Sequence, residues 1–385
     1  MGDDKIDVKK YQNDKNIKMN IILKNYVLIP ATKIEGTLEL TPEKDIKLKK
    51  NDHKISFKIT QFEMINYDYE SLGGDKEEKS KNKEAIIIEK TIYHFFPDNS
   101  LQEGKTTKID FSFYLPGDEN EKFYPTFEFR EKNFLLYIRH LLTIEIPSFE
   151  TSNSTGLIIG KLPKRQFEFE EKDFSIYNEI VKDKEKISYK FKIKKASCPL
   201  DGEIPIKLDI DASGLKKLEI KSIEIILEQL LKVKWVLTSK IKPWGDKNEE
   251  KKITINNIKY EEEKIKEKMN IVETIKIKED DIPNFDEKNI ERFIKFDEDF
   301  LEYDKKRMEL TPSVNTDLFL SEYKLYVKFE LNKKINSKNH AEKELVIDFY
   351  TLKPKIIDDF LEHYFNEKEN PSFNSQDEPS FEKPA

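Results

Sequence analysis

Histidine, cysteine and paired carboxylates are the side chains from which most active sites are built, and in this chain they are few and scattered. The five histidines, His53, His94, His140, His340 and His363, stand at no spacing that would place two of them on one metal ion. The single cysteine, Cys198, can form neither a thiolate zinc site nor an intrachain disulfide, and it fits a reducing compartment. No GxSxG elbow, Walker A loop, GxGxxG or HExxH motif occurs. Gly73 and Gly74 lack the flanking strand, helix and Lys-Ser/Thr that a phosphate cradle requires. Acidic pairs such as Asp280 and Asp281 lie in a charged run, without the apolar surroundings that raise a carboxyl pKa. These residues point away from an enzyme and from any metal or cofactor, and towards a protein that works by binding.

Charge narrows the partners. The 68 basic and 75 acidic side chains are interspersed and nearly cancel, to a net −7, which disfavours a nucleic-acid binder. Only five of the basic residues are arginines (Arg130, Arg139, Arg165, Arg292 and Arg307), so any short lysine cluster is weighed against a lysine-rich background. No apolar run approaches the roughly 20 residues that span a bilayer, and the acidic Met-Gly-Asp-Asp start does not read as a signal peptide. The expected location is the cytoplasm.

The dominant pattern is short runs of Ile, Val, Phe, Tyr and Leu alternating with Lys, Glu or Asn, the period of a half-buried strand. It predicts strands over 17–28, 33–40, 54–66, 85–95, 106–115, 134–146 and 156–161. It predicts a second series over 186–195, 203–210, 217–239, 251–260, 264–278, 319–331 and 342–351. Strands without intervening helices predict an all-β fold of two tandem immunoglobulin-like β-sandwiches. Residues 1–165 form the first, 166–184 a connector, and 185–353 the second. Residues 67–84 read as a long mobile loop, and the acidic stretch 279–307 as a partly helical insertion. In the terminal segment 354–385, Ile357, Phe360, Leu361 and Tyr364 recur at helical spacing. They predict an amphipathic helix that buries against the protein or a partner, followed by a disordered tail.

The two halves echo each other. Tyr26 to Gly36 leads into a strand as Ala196 to Glu203 does, and Tyr124-Pro-Thr-Phe127 precedes a strand as Thr311-Pro-Ser313 does. The segments Pro30 to Leu40, Phe111-Ser-Phe-Tyr-Leu-Pro116, Pro125-Thr-Phe127, Tyr137-Ile-Arg139 and Asp201 to Asp209 follow one another in an order that resembles the arrestin superfamily, closest to its α-arrestin branch. The resemblance covers about 17–352.

It implies the arrestin fold and a cytosolic adaptor that binds cytoplasmic tails of membrane proteins for endocytic or endosomal sorting, together with trafficking machinery. Lys9 and Lys10 match the lysine pair with which receptor-binding members sense phosphate; as bare sequence they are a solvated surface pair. The position of the family's switching arginine is taken by Gly160, which implies only a modest phosphate preference. The segment Lys161-Leu-Pro-Lys164-Arg165 is a candidate for peripheral contact with acidic lipid or phosphorylated cargo, through Lys164 and Arg165, or else a solvated connector. The 67–84 segment sits where the family carries a cargo-probing loop, and equally reads as a tolerated insertion. No Pro-Pro-x-Tyr motif is present, so ligase recruitment by that route is not implied. Two other readings stay open: an arrestin-like subunit of a retromer-type complex docked on a scaffold, and a structural or cytoskeletal interaction module.

Overall fold

The computed structural model describes residues 16–47, 54–70, 76–94, 100–116, 123–131, 134–161, 174–182, 185–193, 197–199, 202–216, 219–234, 250–261, 267–277, 312–331 and 345–350. The first half contributes β1 (Ile17–Leu23), β2 (Val27–Leu28), β3 (Lys33–Pro42), β4 (Ile46–Lys47), β5 (Lys54–Glu70), β6 (Lys76–Tyr93), β7 (Ser100–Leu101), β8 (Thr107–Tyr114), β9 (Phe127–Glu131), β10 (Phe134–Ile146) and β11 (Thr151–Ile159). The second contributes β12 (Phe174–Lys182), β13 (Glu185–Ile193), β14 (Ser197–Pro199), β15 (Glu203–Gly214), β16 (Ile220–Val233), β17 (Glu250–Glu261), β18 (Lys268–Lys276), β19 (Val314–Asn315), β20 (Phe319–Leu331) and β21 (Leu345–Tyr350). Among the described residues there is no α-helix, only a 3-10 turn at Pro147–Phe149, and no helix long and apolar enough to cross a membrane.

The strands form one three-stranded sheet (β1-β3-β8), one four-stranded sheet (β12-β13-β15-β18), two larger sheets and a short β4-β7 pair. One larger sheet runs β2-β11-β10-β5-β6 with β9 on β10, and the other runs β14-β21-β20-β16-β17 with β19 on β20. These orders are the same, element for element, down to the parallel β2/β11 and β14/β21 contacts at one edge. The repeat seen in the sequence is therefore a repeat of topology: Tyr26–Gly36 and Ala196–Glu203 supply β2/β3 and β14/β15. Tyr124–Phe127 and Thr311–Ser313 likewise lead into β9 and β19.

Alternation makes each sheet two-faced, and burial of the apolar faces joins the sheets in pairs. β1 alternates buried and exposed along its whole length, as does β13. Ile21, Leu38, Ile109 and Phe113 of the small sheet enclose one core with Phe57, Ile59, Leu142 and Ile144 of the larger one. Tyr189, Phe191, Leu208 and Ile275 do the same with Ile225, Leu227, Leu325 and Phe329 in the second half. The architecture is all-β and sandwich-like.

Gly36, inside the strand of the resembling motif, shows why a small residue is needed there. It lies opposite both Leu23 and Phe111, and a Cβ would meet the Ile22 carbonyl oxygen and the Phe111 ring, each at 2.7 Å. The Phe111 ring uses that space to reach Phe57, 5.0 Å between centroids. Gly36→Ala is expected to lower stability by about 1–3 kcal/mol through overpacking, read as a fall in denaturant midpoint at unchanged slope.

Two expectations are corrected. Residues 67–84 are not a loop: β5 and β6 pair from Lys54 opposite Tyr93 to Glu70 opposite Lys76, so the strands run through most of it. A strand can be held by backbone bonds to its neighbour alone, and Lys76–Ala85 carries no apolar alternation that would reveal it. Residues 174–182 of the expected connector form β12, antiparallel to β13 and part of the second half's sheet. The 279–307 insertion and the 355–366 helix lie outside the described residues.

Candidate functional site

The larger sheets extend beyond their smaller partners, and there their inner faces pack on each other. Ile65, Phe127, Phe129, Leu136 and Ile138 from the first half share a buried cluster with Leu231, Val233, Val314, Leu318 and Phe319 from the second. Phe127 and Phe319 are fully buried at its centre, with ring centroids 5.0 Å apart. A ring of polar contacts surrounds this apolar joint. Lys161 Nζ donates to the Ser313 carbonyl at 2.7 Å, Lys83 pairs with Asp317, and Lys251 pairs with Glu131. Lys161 is thus spent on the junction rather than open to lipid.

Beside the joint lies a buried polar chain. Gln61 Oε1 accepts the Tyr124 N–H at 2.9 Å, so it also accepts from His140 Nε2 at 3.3 Å. His140 Nδ1 then accepts from the Thr126 hydroxyl at 3.1 Å, which itself takes the Ile159 N–H at 2.8 Å. Burial lowers the His140 pKa to about 3, so the ring is neutral and serves to tie β5, β9 and β10 together. The second half repeats the device in smaller form, Gln229 Nε2 donating to Ser321 Oγ at 3.1 Å.

The chain ends on Glu63, which is 1% exposed. Gln61 Nε2 stands 3.5 Å from its Oε1, and its Oε2 has no hydrogen-bond partner among the described residues. Desolvation raises its pKa and outweighs the opposing pull of the Thr316 hydroxyl and the Lys83 ammonium, while the Asp317 carboxylate adds to the rise. The folded chain therefore favours the protonated form more than the unfolded chain does. Its stabilisation is complete below the ordinary carboxyl value of 4.5 and is lost as pH rises through the raised one. Glu63→Gln is expected to raise the melting temperature at pH 7, with the advantage shrinking towards pH 4. A melting temperature that moves equally at both pH values would contradict this.

A second feature is the edge of β6, which has no further strand beside it among the described residues. Along Ala85–Tyr93 it presents Ile86, 53% exposed, and Tyr93, 68% exposed. The register shifts between the Ile59/Ile88 and Thr60/Ile86 pairs, so Ile87 is an extra, bulged residue in β6 itself.

Lys9, Lys10, Lys164, Arg165, Ile357, Phe360, Leu361 and Tyr364 all lie outside the described residues. Gly160 follows β11, buried, and donates its N–H to the Leu28 carbonyl at 2.7 Å. Arg139 of the Tyr-Ile-Arg motif is buried on the other face of the same sheet, donating to Glu128 at 2.9 Å. The junction was missed because residues 59–66 carry apolar side chains in both phases, Phe62 and Met64 as well as Ile59 and Ile65, so alternation does not say which face is covered and a glutamate there reads as solvated. The usable signal was that residues 59–66, Ile-Thr-Gln-Phe-Glu-Met-Ile-Asn, contain no lysine in a lysine-rich chain. Among the described residues no group of three His, Cys, Asp or Glu could hold a metal ion. No family model matches the sequence, and no curated protein matches it.

Proposed function

We propose that this chain is an arrestin-like adaptor that captures an extended cytoplasmic segment of a membrane protein and acts by binding, without turnover. The observation that carries the reading is the duplicated strand order joined through a shared buried core, together with the β6 edge, which has no strand beside it on its outer side among the described residues. An unpaired strand edge offers backbone donors and acceptors that an extended peptide can complete, and the exposed Ile86 and Tyr93 supply apolar anchors for its side chains. The sequence resemblance to α-arrestins supplies the class of partner.

The test is proximity labelling in cells with wild type and with Ile86→Lys/Tyr93→Lys. Both side chains are exposed, so the double variant keeps its stability. Wild type is expected to label membrane proteins through their cytoplasmic tails, and the variant to lose that set. A labelled set that contains no membrane proteins, or one the variant leaves unchanged, rejects the reading.

A further inference from the structure

We propose that the outer face of the four-stranded sheet β12-β13-β15-β18 docks on an anionic lipid surface. Across this face Lys192 stands directly opposite Lys207, and Lys207 directly opposite Val272. Lys190, two residues along β13, adds a third ammonium. Like charges facing each other across neighbouring strands oppose sheet formation, so this pair is unfavourable until something anionic lies over it. Val272 is 70% exposed beside it, the most exposed large apolar side chain among the described residues.

The carboxylates on the face do little to relieve the pair. Asp209 reaches Lys207 only at 3.9 Å and already accepts from Asn270, and Asp211 accepts from the Ser213 N–H and hydroxyl while standing 3.7 Å from Lys268. Lys190 and Lys192 have no ion pair among the described residues. The duplicated topology supplies an internal comparison: on the outer face of β1-β3-β8, Lys24 and Lys33 both pair with Glu35 and Lys108 pairs with Glu39, at 2.9–3.1 Å. One copy of the face is neutralised from within, and the other is left basic.

The face is a plain pleated surface with an apolar residue among cations. A bilayer matches it: the lysines meet headgroup phosphates while Val272 enters the interface. The location on a membrane follows from the adaptor reading, but vesicle binding by the pure chain and tail capture in cells are separate readouts, so either can fail alone.

The experiment is co-sedimentation of the full chain with vesicles of phosphatidylcholine alone or with added phosphatidylserine. Binding is expected only to the acidic vesicles and falls as salt rises. Lys192→Gln/Lys207→Gln, the first half-buried and the second exposed, with no ion pair beyond that to Asp209, is expected to weaken it roughly 25-fold, about fivefold per lysine. Lys24→Gln/Lys108→Gln on the other face serves as the control and is expected to change binding less than about twofold, with thermal melts confirming that both variants fold. Equal binding to neutral vesicles, unchanged binding by the Lys192/Lys207 variant, or an equal loss in the control would overturn the proposal. So would binding of a soluble phosphopeptide through Lys192 and Lys207 when acidic vesicles do not bind, since that assigns the face to a protein ligand.

Discussion

Phe319→Ala is expected to cost about 3–5 kcal/mol and to divide unfolding into two separate transitions. Phe319 is fully buried and touches Phe127 across the joint, so its removal leaves a cavity where the two halves meet. Among the described residues that is the one buried apolar cluster drawn from both halves, and a hole at its centre weakens the coupling more than it weakens either half. The comparison variant is Phe329→Ala. Phe329 is as deeply buried, but inside the core of the second half, 5.2 Å from the Tyr189 ring. It should lower stability by a similar amount while calorimetry still shows the halves coupled as in wild type. If the two variants unfold alike, the joint is not what couples the halves.

Arg139→Gln should be comparably damaging, again about 3–5 kcal/mol, because it leaves the Glu128 carboxylate buried without its cation. The pair is 2.9 Å apart with side chains 5% and 1% exposed, and the guanidinium also lies over the Tyr137 ring at 5.3 Å. Burial pushes the Tyr137 phenol pKa up, so that ring stays neutral beneath the cation. Replacing both partners by apolar residues, Glu128→Leu with Arg139→Met, is expected to recover much of the loss, since no orphaned charge remains. A single variant within about 1 kcal/mol of wild type by denaturant titration would mean that water reaches Glu128.

The strands were the legible part of the fold, for a physical reason. Wherever one sheet face is wet and the other buried, as in β1, β13 and β15, the burial period is written directly in residue type. The run 17–28 read as a single strand but breaks after Leu23, where Asn25 Oδ1 takes the Val27 N–H at 3.0 Å and turns the chain into β2. Such a turn is set by one local hydrogen bond and is nearly silent in hydropathy. The far part of β6 was illegible because both of its faces are polar. The duplicated order was legible through its Pro-containing lead-ins to β9 and β19, which stand at equivalent places in both halves.

The candidate site was much less legible. Glu63 and Lys83 face each other across β5 and β6, but Thr316 and Asp317 come from the other half, and only the packing of one half on the other brings them to that pair. A glutamate in an alternating strand reads as solvated unless a second sheet is known to cover it. The basic row of Lys192 and Lys207 depends on cross-strand register, which alternation alone does not fix between strands that are not joined by a short turn.

The adaptor account is tested most directly by amide hydrogen exchange of the full chain with and without a tail peptide from a membrane protein recovered by labelling. Strand addition predicts new protection concentrated in Ala85–Tyr93, where edge amides gain partners, and loss of that protection in Ile86→Lys/Tyr93→Lys. Tail binding that leaves Ala85–Tyr93 exchanging as in the free chain would contradict it.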